Sequence, residues 1–258
     1  GSKMQMPQIA TPDTDKFFIP IPPLSAQTKI VQILDTMTAI TAELTAELSM
    51  RNKQYQYYRD KLLSENELAK VGFEWKSLGE VGAVRMCKRI LKEQTSSDGV
   101  IPFYKIGTFG KAPDAFISRE LFEEYREKYN YPKKGDVLIS ASGTIGRTVI
   151  FDGQDAYFQD SNIVWIENDE SLVLNKYLFY FYQIANWGIS EGGTIQRLYN
   201  DNLRKVKIPI PPLAEQARIV AILDKFDTLT QSISDGLPRE IELRQQQYEY
   251  YREALLSF

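Results

Sequence analysis

One block of sequence occurs twice, far apart in the chain. Ile19 to Thr41 reads IPIPPLSAQTKIVQILDTMTAIT, and Ile208 to Thr230 reads IPIPPLAEQARIVAILDKFDTLT. Each copy runs on to a second shared block, YQYYRDKLLS from Tyr55 and YEYYREALLS from Tyr248. The separation, about 190 residues, is far too long for a solenoid repeat. Two matching segments that bracket a unique stretch describe a scaffold that presents something, rather than an enzyme built around one pocket.

The repeats read as helices. In both copies Pro-Pro stands just ahead of a long periodic stretch, where proline is tolerated. In the first copy Ile30, Leu34, Met37, Ile40, Leu44 and Leu48 fall at steps of three and four. Tyr55, Tyr58 and Leu62 resume that stripe after a polar gap at Arg51 to Lys53. About 40 helical residues would span about 60 Å. In the second copy Ile219, Ile222, Phe226, Leu229 and Ile233 play the same part, followed by Ile241, Tyr248, Tyr251 and Leu255. Such a helix needs a partner for its apolar stripe, and the other copy is the natural one. The offset between copies is 189 in the first block (19 to 208) and 193 in the second (55 to 248). These four extra residues amount to a stutter, and Gly236 and Pro238 stand beside them, so the second helix should break near 235–238. The chain leaves one end of the first helix and returns into the second from an intervening domain, so the pair should be antiparallel.

Between them, residues 65–207 have a different texture. Short β-like runs at Val100–Ile106, Asp136–Ser140, Thr148–Phe151 and Ser161–Ile166 are punctuated by glycine. Helical stretches interrupt them at Ser118–Tyr129 and Leu174–Trp187. The expected fold class is α+β: one globular mixed α/β domain with a curved sheet, plus two long antiparallel helices forming a coiled-coil spacer.

Composition narrows the chemistry. The chain of 258 residues contains no histidine, which removes the commonest general base and metal ligand. Its single cysteine, Cys87, excludes an intramolecular disulfide framework. A formal charge of −3 means that any nucleic-acid contact must be local, on one face. No run approaches a membrane span and no signal peptide is visible, so the expected localisation is cytoplasmic, with no membrane partner.

The residues also carry a resemblance. The IPIPPL-x-x-Q-x-x-I-V-x-I-L-D block at both ends and the Y-x-Y-Y-R-x-x-L-L-S block enclose a domain with a recognisable course. It opens with Trp75-Lys-Ser-Leu-Gly-Glu-Val, continues with Lys133-Lys-Gly-Asp-Val-Leu-Ile-Ser-Ala-Ser-Gly, and closes with Leu203-Arg-Lys-Val-Lys. Together these resemble the DNA-specificity (S) subunit of a type I restriction-modification system over nearly all of the chain after Phe18. The resemblance implies that 19–64 and 208–258 are conserved-region helices, serving as a ruler and as docking surface for methyltransferase (M) subunits. It implies that 65–207 is a target recognition domain reading one half of a bipartite double-stranded DNA site.

A full-length member of that family has two recognition domains, whereas this chain has one. Residues 1–18 read as a tag remnant (Gly1-Ser2-Lys3) followed by the truncated end of a missing recognition domain, with Asp15-Lys-Phe-Phe corresponding to Arg204-Lys-Val-Lys. The expectation is a half-size subunit, two copies of which would pair into a reader of a symmetric site.

Base readout requires forked donors and amides on a surface that also holds phosphates. Arg85, Lys88, Arg89 and Lys92 form a basic run beside a glycine-flanked strand; otherwise such a run is a solvated face. Lys105, Thr108 and Lys111 lie in or beside the short loop Gly107–Lys111. Ser140, Ser142, Thr144 and Arg147 belong to a small-residue turn able to hold a phosphate, or merely to turn. Gln159 and Asn162 sit between two apolar strands, where turn chemistry is the alternative. Thr194, Gln196 and Arg197 follow two glycines. On the helices, Gln27, Asp35, Tyr57, Tyr58 and Arg59, with Gln216, Asp224, Tyr250, Tyr251 and Arg252 in the second copy, are candidates for partner binding. The tyrosines suit packing between helices or against a partner better than stacking on bases.

Enzyme chemistry finds no footing. The only Pro-Pro pairs, Pro22-Pro23 and Pro211-Pro212, lack the Asn/Asp and aromatic flanks that grip a flipped adenine, and no carboxylate pair stands out. The expected role is non-catalytic, with no catalytic residues, no metal site and no cofactor bound directly. By the resemblance, S-adenosylmethionine and ATP belong to partner subunits, and the restriction (R) subunit joins through the M subunits. A coiled-coil adaptor or decoy that binds only M subunits is the rival reading.

Overall fold

The computed structural model describes residues 19–188, 197–232 and 234–257. In chain order the elements are α1 (Leu24–Leu62), α2 (Glu65–Leu68), β1 (Glu74–Ser77), α3 (Leu78–Val81) and β2 (Ala83–Arg85). A 3-10 turn (Lys92–Gln94), β3 (Ile101–Tyr104), β4 (Phe116–Ile117), α4 (Arg119–Lys128), β5 (Val137–Ser140) and β6 (Thr148–Ile150) follow. Then come β7 (Tyr157–Phe158), β8 (Ile163–Glu167), α5 (Asn175–Tyr182), α6 (Asn200–Lys205), β9 (Lys207–Ile210), α7 (Leu213–Gln231) and α8 (Leu237–Leu256). The chain divides into two compact units, Lys53–Asp227 and the residues up to Asn52 with those from Thr228 onward.

The unit Lys53–Asp227 is an α+β domain. Its main sheet has the order β2-β8-β5-β6, antiparallel throughout, with Leu138 opposite both Trp165 and Val149. Alternation along the strands sends Val137, Ile139, Val164 and Ile166 into one core, and Leu138, Ile163 and Trp165 into another. Both faces are therefore buried, which is why β5 and β8 read as continuous apolar runs. The first core is closed by Tyr177, Leu178 and Phe181 of α5 and by Ile219 and Leu223 of α7. The second is closed by Phe122 of α4 and by a smaller sheet in which β3 pairs antiparallel with β4 and parallel with β7. Trp165 and Tyr157 are almost wholly enclosed there. Burying a ring of that size contributes roughly 4–6 kcal/mol at the usual area coefficient.

This unit takes more of the repeats than residues 65–207. Tyr55 and Leu62 of α1 and Ile219, Val220 and Leu223 of α7 lie in its first core, so the ends of two long helices belong to it. The Ile208-Pro-Ile segment, expected only as the approach to a helix, is half of a two-stranded sheet: β9 pairs antiparallel with β1, Trp75 opposite Pro209. Tyr177 Oη of α5 donates to Pro209 O at 2.9 Å, tying that small sheet to the first core.

The other unit is helical. Gln231 Nε2 donates to Asn52 Oδ1 at 3.1 Å, while Gln245 and Tyr248 of α8 share a cleft with Thr38, Thr41 and Thr45 of α1. One segment thus ascends as the other descends, and the arrangement is antiparallel. The seam is only half-buried, and it runs through Leu34, Met37, Thr41, Leu44 and Leu48. Ile40, assigned to the stripe on spacing, is 40% exposed, because the helical period carries the seam past it to Thr41.

The helix break lies between Gln231 and Leu237, slightly earlier than 235–238. Gly236 there has φ 92°, and a Cβ on it would come within 2.5 Å of Thr228 O. Pro238 falls in the first turn of α8, where its missing N–H costs nothing.

Candidate nucleic-acid interface

Residues from four separated segments line one groove of about 480 Å3 on the Lys53–Asp227 unit. Arg89 and Lys92 come from the chain after β2, Lys105 from the end of β3, Gln159 and Asn162 from the β7–β8 connection, and Arg197 from the chain before α6. The β7–β8 connection reverses tightly: Ser161 has φ 59°, and Asn162 N donates to Asp160 O at 2.6 Å. Arg197 is held by an antiparallel bridge to Ser142. Lys92 begins the 3-10 turn, which Gln94 closes by accepting Leu91 N at 2.8 Å.

The groove carries four cations and one carboxylate, Asp160. Arg89 is bound to that carboxylate at 3.0 Å, and Lys105 to Asp114 at 2.9 Å. Lys105 and Asp114 are both exposed, and water screens that pair to a net value of about 0–1 kcal/mol, so Lys105 can exchange for a phosphate at little cost. Arg89 is exposed too, but its partner Asp160 is only 16% exposed.

The two amides are oriented. Ile106 N donates to Gln159 Oε1 at 2.9 Å. Asn162 Oδ1 accepts twice, from Ser142 Oγ at 2.9 Å and from the Arg197 guanidinium at 3.2 Å. A backbone N–H and a guanidinium can only donate, so each must face the amide oxygen and not the nitrogen.

Other residues expected at this site go elsewhere. Arg85 is spent across the sheet on Glu167, at 2.8 Å. Lys88 lies 5.1 Å from the centre of the Tyr129 ring. Ser140 is a correction: it is 2% exposed, its hydroxyl donating to Thr144 O and accepting Arg147 N, so it builds the turn from inside and has no face for a phosphate. Arg147 likewise turns inward, donating to Phe109 O at 3.1 Å. Thr108 bonds the Lys105 backbone, and Lys111 lines a separate cavity beside Tyr104 and Phe109. Thr144 is exposed at the tip of its turn. Thr194 and Gln196 lie outside the described residues. Asp160 was missed, although it lies between Gln159 and Asn162 in the sequence; acids beside basic loops are too common to single out.

The helix candidates divide by position. Gln216 is fully buried, joining Leu174 N at 2.8 Å, Leu172 O at 3.0 Å and Pro211 O at 2.9 Å. Asp224 accepts from Lys176 and from Tyr180 Oη, each at 2.6 Å. Gln216 is therefore internal to its unit and is corrected as a partner contact, whereas Asp224 is held by these two bonds with its side chain still 35% exposed. Their counterparts differ: Gln27 repeats only the bond to Pro22 O, at 2.7 Å, and Asp35 is exposed and forms no ion pair among the described residues. Arg59 donates to Gln183 Oε1, and Tyr58 stacks on Phe226. Tyr57, Tyr250 and Tyr251 are 60%, 67% and 42% exposed, so packing between the helices does not account for them. Arg252 lies 5.9 Å from the centre of the Tyr248 ring.

Among the described residues no group of His, Cys, Asp or Glu side chains is placed to hold a metal ion. No described helix is long and apolar enough to cross a membrane. Cys87 is buried, and burial pushes its thiol up to about 12, so it is not a ready nucleophile.

A family model described as the type I restriction modification DNA specificity domain matches residues 2–50 and 70–243. A putative type I restriction enzyme specificity subunit of Haemophilus influenzae is 71% identical over 248 residues, covering 93% of this chain and 63% of that protein. The EcoR124I/EcoR124II specificity subunit of Escherichia coli is 41% identical over 256 residues, covering 91% of this chain and 60% of that protein. The chain thus spans less than two thirds of the length of either relative. The crystal structure of a type I restriction-modification S subunit from M. genitalium superposes with a TM-score of 0.58 at 15% identity, over 91% of this chain and 61% of that one. That likeness is one of fold.

Proposed function

Because the chain belongs to the family of type I restriction-modification DNA specificity domains, we propose that it is a DNA-reading subunit. Its recognition domain takes one half of a bipartite double-stranded site. One observation carries this reading: Arg89, Lys92, Lys105 and Arg197 converge with Gln159 and Asn162 on a single groove. Cations hold phosphates and set the register, while amides address base edges. Local charge of this kind does what the net charge of −3 cannot.

The helices dock methyltransferase subunits and, through them, the restriction subunit. Exposed Asp35, Tyr57, Tyr250 and Tyr251 are the candidates for those contacts. Catalysis lies with the partners, which bring S-adenosylmethionine and ATP. Two copies pair to read two half-sites. A groove that gathers donors from four segments favours this reading over a decoy that binds only protein.

A salt-dependent gel shift with the methyltransferase subunit present tests the proposal. Binding of one bipartite sequence well above random DNA is the expected result. Equal binding of all sequences, or none, would leave only the protein-binding adaptor.

A further inference from the structure

The hydrogen bonds inside the groove determine which faces of its amides remain. Asn162 Oδ1 has both acceptor positions filled, by Ser142 Oγ and the Arg197 guanidinium. Gln159 Oε1 is turned to the backbone N–H of Ile106. Neither amide nitrogen has a hydrogen-bond partner among the described residues, so each presents an NH2 donor; Asn162 has no acceptor position left, while Gln159 Oε1 keeps one. Arg197, bound to Asn162 through one nitrogen, adds more donors beside it.

That polarity selects between bases. Asparagine or glutamine reads adenine by donating to N7 and accepting from the N6 amino group, which requires the amide oxygen and nitrogen to face the base together. Here both acceptor positions of the Asn162 oxygen are occupied from within. Guanine offers two adjacent acceptors in the major groove, O6 and N7, and no donor. The one carboxylate present, Asp160, is tied to Arg89 through Oδ2.

We propose that this groove reads guanine, through the outward amide nitrogens of Gln159 and Asn162 and the neighbouring guanidinium of Arg197, and that Asn162 does not read adenine. The inference rests on the DNA-reading function and deepens it by naming the base. Ser142 is then a positioning residue: its hydroxyl holds Asn162 in the orientation that presents the donor.

The test uses the full chain with its methyltransferase subunit and a pool of bipartite duplexes with randomised half-sites. Selection is repeated with Asn162→Asp, which keeps the accepting oxygen toward Ser142 and Arg197 and replaces only the outward NH2. The expected outcome is that Asn162→Asp relaxes or changes the preference at a G·C pair. Placing 7-deazaguanine there should weaken wild-type binding by roughly 5- to 150-fold, while inosine, which keeps O6 and N7, should bind nearly as guanine does. If Asn162→Asp changes the preference at an A·T pair, or 7-deazaguanine binds as guanine does, the guanine assignment is wrong and the DNA-reading function stands. If wild type enriches no sequence, both fall.

Discussion

The side-chain oxygen of Gln216 accepts the backbone N–H of Leu174 at 2.8 Å, across 42 positions of sequence. The same amide donates to Leu172 O and Pro211 O, so one glutamine of α7 satisfies three backbone groups of the Lys53–Asp227 unit. Gln27 holds the matching place in the first repeat and satisfies one, Pro22 O. An identical sequence position is thus a clamp in one copy and a local cap in the other.

Gln216→Ala should therefore cost about 2–4 kcal/mol, because buried groups lose their partners. Gln27→Ala, in a half-exposed setting, should cost less than about 1 kcal/mol. Urea denaturation compares them directly, and equal losses would contradict the asymmetry.

Asp227 responds to acid. Burial first, and the neighbouring Asp224 carboxylate second, raise its pKa above the ordinary aspartate value, with Lys176 opposing. The folded protein therefore keeps this proton over a window in which the unfolded chain has lost it. Within that window stability falls as pH rises, and the cost persists at neutral pH. Asp227→Asn should raise the melting temperature at pH 7 and flatten the pH dependence in the acid range. A lower melting temperature at pH 7 would show that the carboxylate is needed as an acceptor.

Gly146 has φ 82°, and a Cβ there would come within 2.3 Å of Trp187 Nε1. Gly146→Ala combines left-handed backbone strain with a clash in the first core, so a loss of about 1–3 kcal/mol is expected. Tryptophan fluorescence during urea unfolding reads it, and an unchanged midpoint would mean that Trp187 moves aside freely.

Lys92 is exposed on the groove and addresses phosphate in the proposed complex. Lys92→Ala should weaken binding to all sequences alike and reduce the slope of log affinity against log salt by about 0.9. A change in which sequence is preferred, with the slope intact, would assign Lys92 to a base.

Much of this was legible in the chain because long periodic patterns are robust. The duplicated helices, their antiparallel pairing and the break before Pro238 follow from repeats, offsets and proline chemistry. The sheet β1–β9 was not legible: Ile208-Pro-Ile is too short for alternation to show, and its partner lies some 130 residues away. The basic run at 85–92 divides, Arg89 and Lys92 reaching the groove while Arg85 and Lys88 do not, because sequence proximity says nothing about where side chains turn. Arg85 leaves across a strand, whereas Arg197, distant in sequence, arrives through a single bridge to Ser142. The amide orientation was beyond sequence altogether, since it depends on a backbone N–H and a guanidinium brought together only by the fold.

One comparison of affinities separates the groove from the rest of the surface. The full chain and its methyltransferase subunit are measured against their selected bipartite duplex, as wild type, as Lys92→Ala with Arg197→Ala, and as Arg126→Ala with Lys128→Ala on α4. The groove variant should lose at least tenfold in affinity, as expected when a base contact worth about 1–3 kcal/mol goes with a phosphate contact, while the α4 variant binds as wild type. Equal affinities for wild type and the groove variant, or an equal loss in the α4 variant, would contradict the account.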